Sequence, residues 1–275
     1  MSDLPARILT IAGSDSCGGA GIQADLKTIT VLGGYGMSAI TAITAQNTLG
    51  VTGVHAIPVD MVRKQIEGVL EDPGVDVIKT GMLLNREIIT VVAEMLATVP
   101  HIPLVLDPVM VATSGARLID ENAQSTLVEQ LFPRATLLTP NLPEAEALSG
   151  VCITDEATMR EAGEGIHALG VRAVLIKGGH ATTNDATDWL FDGETWVPFH
   201  APRIETTCGH GTGCTLASAI ATKLGQGKNL HDAIAAAKNY LTDALKHAWP
   251  DLAKGSGPLN HGWALGREPG TDPHQ

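Results

Sequence analysis

The spacing of apolar residues changes period repeatedly along this chain. Arg7–Ala12 is a short, almost wholly apolar run of the kind that forms a buried strand. In Gly21–Leu32, by contrast, Ile22, Leu26, Ile29 and Leu32 recur at helical spacing. Further strands are predicted at Met37–Thr44, Asp76–Lys79, Leu104–Leu106, Thr136–Leu138 and Ala173–Lys177. Between them, Asp60–Leu70, Arg86–Thr98, Asn122–Leu131 and Asp155–Leu169 carry helical periodicity. This alternation predicts an α/β domain, with a doubly wound, mostly parallel sheet and helices on both faces. Two segments depart from it: Asp188–Phe191 and Thr195–Phe199 flank Asp192-Gly193, a two-residue hairpin signal. Helices near Thr215–Leu224 and Leu230–His247 close the pattern. No linker, repeat or low-complexity block interrupts residues 1–265, so a single domain is predicted, with the polar Gly266–Gln275 as a frayed tail.

Composition narrows the classes of function. With 275 residues, 44% of them hydrophobic, the chain has ample material for a buried core. Its net charge of −12, from 30 acidic and 18 basic residues, argues against nucleic acid and anionic membranes as partners. Any phosphate must then be held locally, by backbone dipoles, a lysine or a metal. No uninterrupted apolar run approaches the roughly 20 residues needed to cross a bilayer, and the N-terminus lacks a signal-peptide pattern. Cys17, Cys152, Cys208 and Cys214 have no CxxC spacing and read as reduced thiols of a cytoplasmic protein.

In open α/β sheets, ligands gather beyond the carboxyl ends of the strands. Gly13, Gly81, Asp107, Asn141 and Gly178 all follow predicted strands, which points to one rim as the site. The run from Gly13 to Gly21 leads from a strand into a helix, but it lacks both the Gly-x-Gly-x-x-Gly and the Gly-Lys-Ser/Thr signatures. Its glycines suit a tight turn or the close approach of a ligand. Asp25, one turn into that helix, either complements the dipole or contacts a ligand.

His210-Gly211-Thr212-Gly213-Cys214-Thr215 opens an apolar helix, and small residues at a helix start expose N–H groups as an anion hole. Cys214 falls on the first turn, where the dipole lowers a thiol pKa and favours a thiolate able to take a hydroxyl proton. The alternative is a packed, inert cysteine. Asn141-Leu142-Pro143-Glu144 reads as a helix cap and equally as oxygen ligands around Mg²⁺. Lys177, at a strand end before Gly178-Gly179, is placed to reach a transferring phosphate, and Asp107 is a further candidate. The Gln46 carboxamide, one donor beside one acceptor, fits the edge of an aminopyrimidine.

Taken together, these residues resemble the hydroxymethylpyrimidine/phosphomethylpyrimidine kinases of the ribokinase superfamily. The carriers are Ala12–Lys27, Thr41–Thr48, Gly81–Leu83, Asp107–Met110, Thr139–Ala145, Lys177–His180 and His210–Leu216, in that order and over nearly the whole chain. The resemblance implies a ribokinase-like three-layer α/β/α fold without a separate lid domain. It implies a cytoplasmic homodimer that uses ATP and Mg²⁺ to phosphorylate a hydroxymethylpyrimidine and then its monophosphate, for thiamine biosynthesis. Gly13, Ala20, Asp25, Gln46, Met82 and Val109 would line the pyrimidine pocket. Asn141, Glu144 and Asp107 would serve the metal, and Lys177, Asn141, Thr212 and Gly213 the ATP phosphates. Gly211, Thr212 and Gly213 would form the anion hole, with Cys214 as the base and Lys177 beside it.

The sequence departs from that pattern at Cys208-Gly209, where the family commonly has Asn-Thr, and Gly209 is expected to loosen the approach to the anion hole. The nearest alternative is a pyridoxal or pyridoxine kinase. One subgroup of those carries a second cysteine after Asp-Pro-Val-Met, whereas this chain reads Val111-Ala112-Thr113-Ser114. The pyrimidine is therefore the expected acceptor.

Overall fold

A computed structural model describes residues 4–110, 121–178 and 185–265. The predicted tail and the segment Val111–Ser114 lie outside the described residues, as do Gly179 and His180. The chain runs β1 (Arg7–Asp15), α1 (Gly21–Val31), β2 (Tyr35–Asn47), β3 (Gly50–Ala56), α2 (Val59–Glu71), β4 (Val77–Thr80), α3 (Arg86–Ala97) and β5 (Leu104–Leu106). It continues with α4 (Glu121–Leu131), β6 (Leu137–Leu138), α5 (Leu142–Ser149), α6 (Glu156–His167) and β7 (Val174–Ile176). The last elements are β8 (Asp188–Phe191), β9 (Trp196–Phe199), α7 (Thr212–Gly225) and α8 (Leu230–Lys246). All the described strands join one sheet in the order β3-β2-β1-β4-β5-β6-β7-β8-β9. Strands β2, β1, β4, β5, β6 and β7 pair in parallel, while β3, β8 and β9 add antiparallel edges.

Alternation along the central strands explains the three layers. Ile8, Val77, Val105, Leu137 and Leu175 face one way and pack with Ile29 of α1, Ala217 and Ile220 of α7, and Ala233 and Ala237 of α8. Leu9, Ile11, Ile78, Leu104, Leu106 and Val174 face the other way, against Val62 and Ile66 of α2, Val92 and Leu96 of α3, Leu127 of α4 and Ile166 of α6. Each buried Leu or Ile contributes about 1.5–3 kcal/mol, so strands apolar on both faces belong at the centre of such a sheet. The Asp192-Gly193 hairpin forms as predicted, with Asp192 Oδ1 accepting from the Glu194 and Thr195 N–H groups.

Two extensions exceed the sequence expectation. Strand β1 continues from Ala12 to Asp15, and β2 runs on to Asn47 to pair with β3, a mostly exposed edge strand that the sequence pattern does not predict. The ladder slips at two places, between Ala12 and Ser14 and between Ala45 and Gln46. Such irregularities bend a strand and re-aim its side chains. Here they fall at Gly13 and Gln46, on the rim where the site is expected.

Candidate active site

A cavity of about 1020 Å³ opens beyond the carboxyl ends of the parallel strands. Its floor is the start of α7. Gly211 caps that helix at φ 87°, and a Cβ there would lie 1.8 Å from the Gly19 carbonyl oxygen, so only glycine lets the two loops meet. The N–H groups of the first turn have no intrahelical acceptor, and they add to the positive end of the dipole. A Cβ on Gly213 would sit 3.2 Å from Lys177 Nζ and 3.4 Å from Asp107 Oδ2. Its absence keeps open the space between the helix start and that ion pair.

Lys177 reaches this space because a bridge between Asn141 and Lys177 extends the β6–β7 pairing. Its Nζ lies 2.9 Å from Asp107 Oδ1 and 4.0 Å from Glu144 Oε2, and Thr139 Oγ1 donates to Asp107 at 3.2 Å. Burial alone would lower the Lys177 pKa, but Asp107 and Glu144 outweigh it and raise it. Glu144 is pushed up to about 7, first by burial and then by Asp107, against the opposing pull of Lys177. Asn141 and Glu144 also form a capping box at the start of α5. Asn141 Oδ1 accepts from Glu144 N, and Glu144 Oε2 accepts from Asn141 N, both at 2.8 Å. The cap and the cavity wall are therefore the same residues.

At the other end, Asp15 gathers the glycine-rich loop. Its Oδ1 accepts from Cys17 N, and its Oδ2 accepts from Gly19 N, Ala20 N and, at 2.8 Å, His210 Nε2. Burial would raise this carboxyl, yet His210 and the loop N–H groups hold it below its ordinary value. Gln46 stands beside His210 on the cavity wall, and Gly13, Ala20, Met82 and Val109 complete that end. At the far wall, Lys238 Nζ holds Asp188 at 2.6 Å, and the second Asp188 oxygen accepts from Gly178 N.

A family model described as Phosphomethylpyrimidine kinase matches residues 15–260, which is most of the chain. The chain belongs to the phosphomethylpyrimidine kinase family. It is 56% identical over 254 residues to the thiamine biosynthesis bifunctional protein ThiED of Geobacter sulfurreducens, a match covering 92% of this chain and 52% of that one. The chain thus spans about half the length of that relative. The hydroxymethylpyrimidine/phosphomethylpyrimidine kinase of Streptomyces coelicolor is 49% identical over 264 residues, covering 95% and 96% of the two chains. Among solved structures, the phosphomethylpyrimidine kinase of Clostridium difficile is 43% identical with a TM-score of 0.78, over 87% of this chain and 99% of that one. The pyridoxal kinase of Staphylococcus aureus in complex with ADP is 37% identical with a TM-score of 0.88, over 97% and 96%. The fold is the ribokinase-like α/β/α arrangement.

In this phosphomethylpyrimidine kinase family member, the cavity collects all but one of the residues expected from the sequence. The exception is Asp25, which is off the cavity wall. It is fully buried and accepts from Lys79 Nζ at 2.8 Å through both oxygens, from Thr10 Oγ1 at 2.6 Å and from Ser218 Oγ at 2.7 Å. A carboxylate so surrounded has no direction left in which to bind a ligand.

Cys214 also departs from expectation. It lines the cavity, but the surrounding protein pushes its thiol up to about 11, with Asp25 and Asp107 adding to the shift. Lys79 and the Gly21 N–H oppose this without overcoming it. Desolvation wins over the helix dipole, so the resting group is a thiol. The approach expected to be loosened by Gly209 is tied down instead. His210 N donates to Gly257 O, Gly257 N donates to Thr207 O, and Cys208 is fully buried against Gly257.

Asp15, His210 and Lys79 were given no role from the sequence. Lys79 carried a signal, since a charge inside the apolar run Val77–Thr80 demands a buried partner. So did Asp15, a carboxylate followed by a run of glycine N–H groups.

Proposed function

We propose that this chain transfers the terminal phosphoryl group of ATP to 4-amino-5-hydroxymethyl-2-methylpyrimidine, and then to the resulting monophosphate, for thiamine biosynthesis. The observation that carries this reading is the joining, in one cavity, of two dissimilar ends. One is a polar, carboxamide-bearing end at Gln46, beside the apolar Met82 and Val109. The other brings the Lys177 ammonium up to the free N–H groups of the first turn of α7, a pairing suited to phosphate. Phosphoryl transfer is catalysed mainly by positioning and charge neutralisation, and this geometry offers both.

The acceptor ring lies toward Gln46, Met82 and Val109, with its hydroxymethyl group directed at Cys214. Lys177 and the N–H groups of Gly213 and Cys214 take up charge on the phosphoryl oxygens. As the new O–P bond forms and the bond to ADP breaks, the alcohol proton passes to the Cys214 sulfur, which acts as its thiolate. A thiol of pKa about 11 holds on the order of one thiolate in ten thousand at pH 7. That thiolate is scarce but strongly basic. The second acceptor is an ionised phosphate and needs no such base.

Asn141, Glu144 and Asp107 present hard oxygen donors on one wall, while no cage of three His, Cys, Asp or Glu exists among the described residues. That donor set fits Mg²⁺, which keeps several waters and shares phosphate oxygens. When bound, the ion supplies charge neutralisation of the nucleotide phosphates. We read the protein as a cytoplasmic homodimer. Ile43, Leu49 and Val54, exposed around the β2–β3 edge, support a second copy there, and no helix of the described residues is long and apolar enough to cross a membrane.

A second reading, phosphorylation of pyridoxal or pyridoxine, is favoured by the likeness to the Staphylococcus aureus pyridoxal kinase. Steady-state assays with ATP and each acceptor separate the two. A higher kcat/KM for the hydroxymethylpyrimidine is expected, and a preference for pyridoxal would overturn the first reading.

A further inference from the structure

The chain just past β7 is held from two sides. The β7–β8 register stops at Ile176 opposite Trp189, so Lys177 lies one residue beyond the strand. On the β6 side, Lys177 N donates to Pro140 O at 2.8 Å. On the β8 side, Gly178 N donates to Asp188 Oδ1 at 2.9 Å. The two backbones touch there, since a Cβ on Gly178 would lie 1.8 Å from the Thr187 carbonyl oxygen. The peptide that follows Lys177 is therefore gripped by a side chain, and that side chain is itself gripped. Lys238 Nζ lies 2.6 Å from Asp188 Oδ2, and both residues are buried on the cavity wall.

Lys238 comes from the middle of α8, which packs with α7, the helix whose first turn supplies the free N–H groups. The Lys238–Asp188 pair thus spans from that helical layer to the peptide carrying Lys177. A buried ion pair contributes little net stability compared with an apolar pair of similar volume. What it offers here, and an apolar pair cannot, is a fixed acceptor for Gly178 N. Lys177 has a long, flexible stem, so a small backbone displacement moves its Nζ out of the space beside Gly213. We propose that Asp188, held in place by Lys238, is the positioning residue that fixes the Lys177–Gly178 peptide and so keeps Lys177 Nζ aligned with the first turn of α7 during phosphoryl transfer. Asp188 acts in this way only if Lys177 serves phosphate as read above, and its role deepens that reading.

Two charge-free replacements of the pair separate positioning from packing. Asp188→Leu with Lys238→Met removes the acceptor for Gly178 N, whereas Asp188→Asn with Lys238→Met keeps one in the amide oxygen. Both lose the Lys238 ammonium, so any effect of that charge on ATP cancels between them. With ATP and the hydroxymethylpyrimidine, kcat is expected to fall by on the order of 10–100-fold in the Leu/Met enzyme, since displacements of about 1 Å cost that much. The Asn/Met enzyme should recover most of that loss. KM for the pyrimidine should hold in both, because the change acts on the phosphate-binding lysine and not on the acceptor. In a Lys177→Met background, the Leu/Met pair should cost no more than about twofold further, as expected for residues acting through one another. Equal kcat in the two pair variants, or a full additional loss on top of Lys177→Met, overturns the proposal.

The wild-type protein provides a test that needs no variant to fold. The Gly178 amide proton should exchange with D₂O far more slowly than a free peptide amide, followed by NMR. Exchange at the free-peptide rate overturns the grip. A wild-type kcat in Lys177→Met would instead count against the phosphate role of Lys177, while the amide exchange would still decide whether Asp188 holds that peptide.

Discussion

Two lysine–aspartate pairs lie close to the start of α7, and they share chemistry but not circumstance. Lys79 and Asp25 are both 0% exposed, and every Asp25 lone-pair direction is taken by Lys79, Thr10 or Ser218. Lys177 is 13% exposed and faces the cavity, and its partner Asp107 lies near a second carboxyl, Glu144, whose pKa is pushed up to about 7. A sealed and fully satisfied pair has nothing left to offer a ligand. An open pair with surplus negative charge can exchange one partner for another. Cys214 stands between the two, since its thiolate, when formed, would act on both lysines. The contrast teaches that the sealed pair is spent on structure, whereas the open pair keeps a face toward the cavity.

The largest expected effect is at the residue they share. Cys214→Ala should slow the first phosphorylation by about 10²–10⁴-fold and the second by less, read from single-turnover rates of each step. Because the wild-type thiol sits near 11, its thiolate fraction grows about tenfold per pH unit below that value. The first-step rate should therefore climb between pH 7 and pH 9 in wild type and stay flat in Cys214→Ala. Equal, small losses in both steps would return the cysteine to a packing role.

Lys79→Met should leave Asp25 charged, buried and unpaired, and should cost about 3–5 kcal/mol of stability by urea unfolding. Adding Asp25→Leu should restore much of that loss, as expected for a structural pair. If Lys79→Met kept wild-type stability, the distinction between sealed and open pairs would collapse. Lys177→Met should act mainly on activity, lowering kcat by about 10²–10³-fold, with a smaller loss of stability than Lys79→Met because Asp107 borders the open cavity.

Glu144→Gln gives the finest test. The folded-state pKa of Glu144 is raised, so the folded protein holds a proton there that the unfolded chain has lost. The associated stability is fully present below the ordinary glutamate range and is lost as pH rises through about 7. Glu144→Gln should flatten that fall in stability, measured without Mg²⁺. In wild type, the Mg²⁺ needed for half-maximal rate should rise several-fold as pH drops below 7, because a protonated carboxyl is a poor ligand. The variant should need more Mg²⁺ at pH 8 and show little pH dependence. An unchanged Mg²⁺ profile would leave Asn141 and Glu144 as a helix cap alone.

Much of this was legible in one dimension. The central strands are short and apolar on both faces, and the helices between them carry one apolar stripe, so the three-layer order follows from period alone. Asn141, Lys177, Gly213 and Gln46 announce themselves because each ends or opens an element on the same rim. Strand β3 did not, because Gly50–Ala56 has two glycines and little burial, and only pairing with the overlong β2 makes it a strand. Asp25 misled for a related reason. One turn into a helix, a carboxylate looks the same in sequence whether it faces a cavity or a buried lysine 54 residues away.

The sequence by itself determined the fold class, the family and the rim on which the chemistry sits, because periodicity, glycine placement and strand-end residues are local properties of the chain. The tertiary structure alone decided that Asp25 belongs to Lys79, that the Cys214 thiol is raised rather than lowered, and that His210 reaches back to Asp15 across 195 positions of sequence. Those outcomes depend on desolvation and on long-range hydrogen-bond partners, and both exist only once the layers have closed around them.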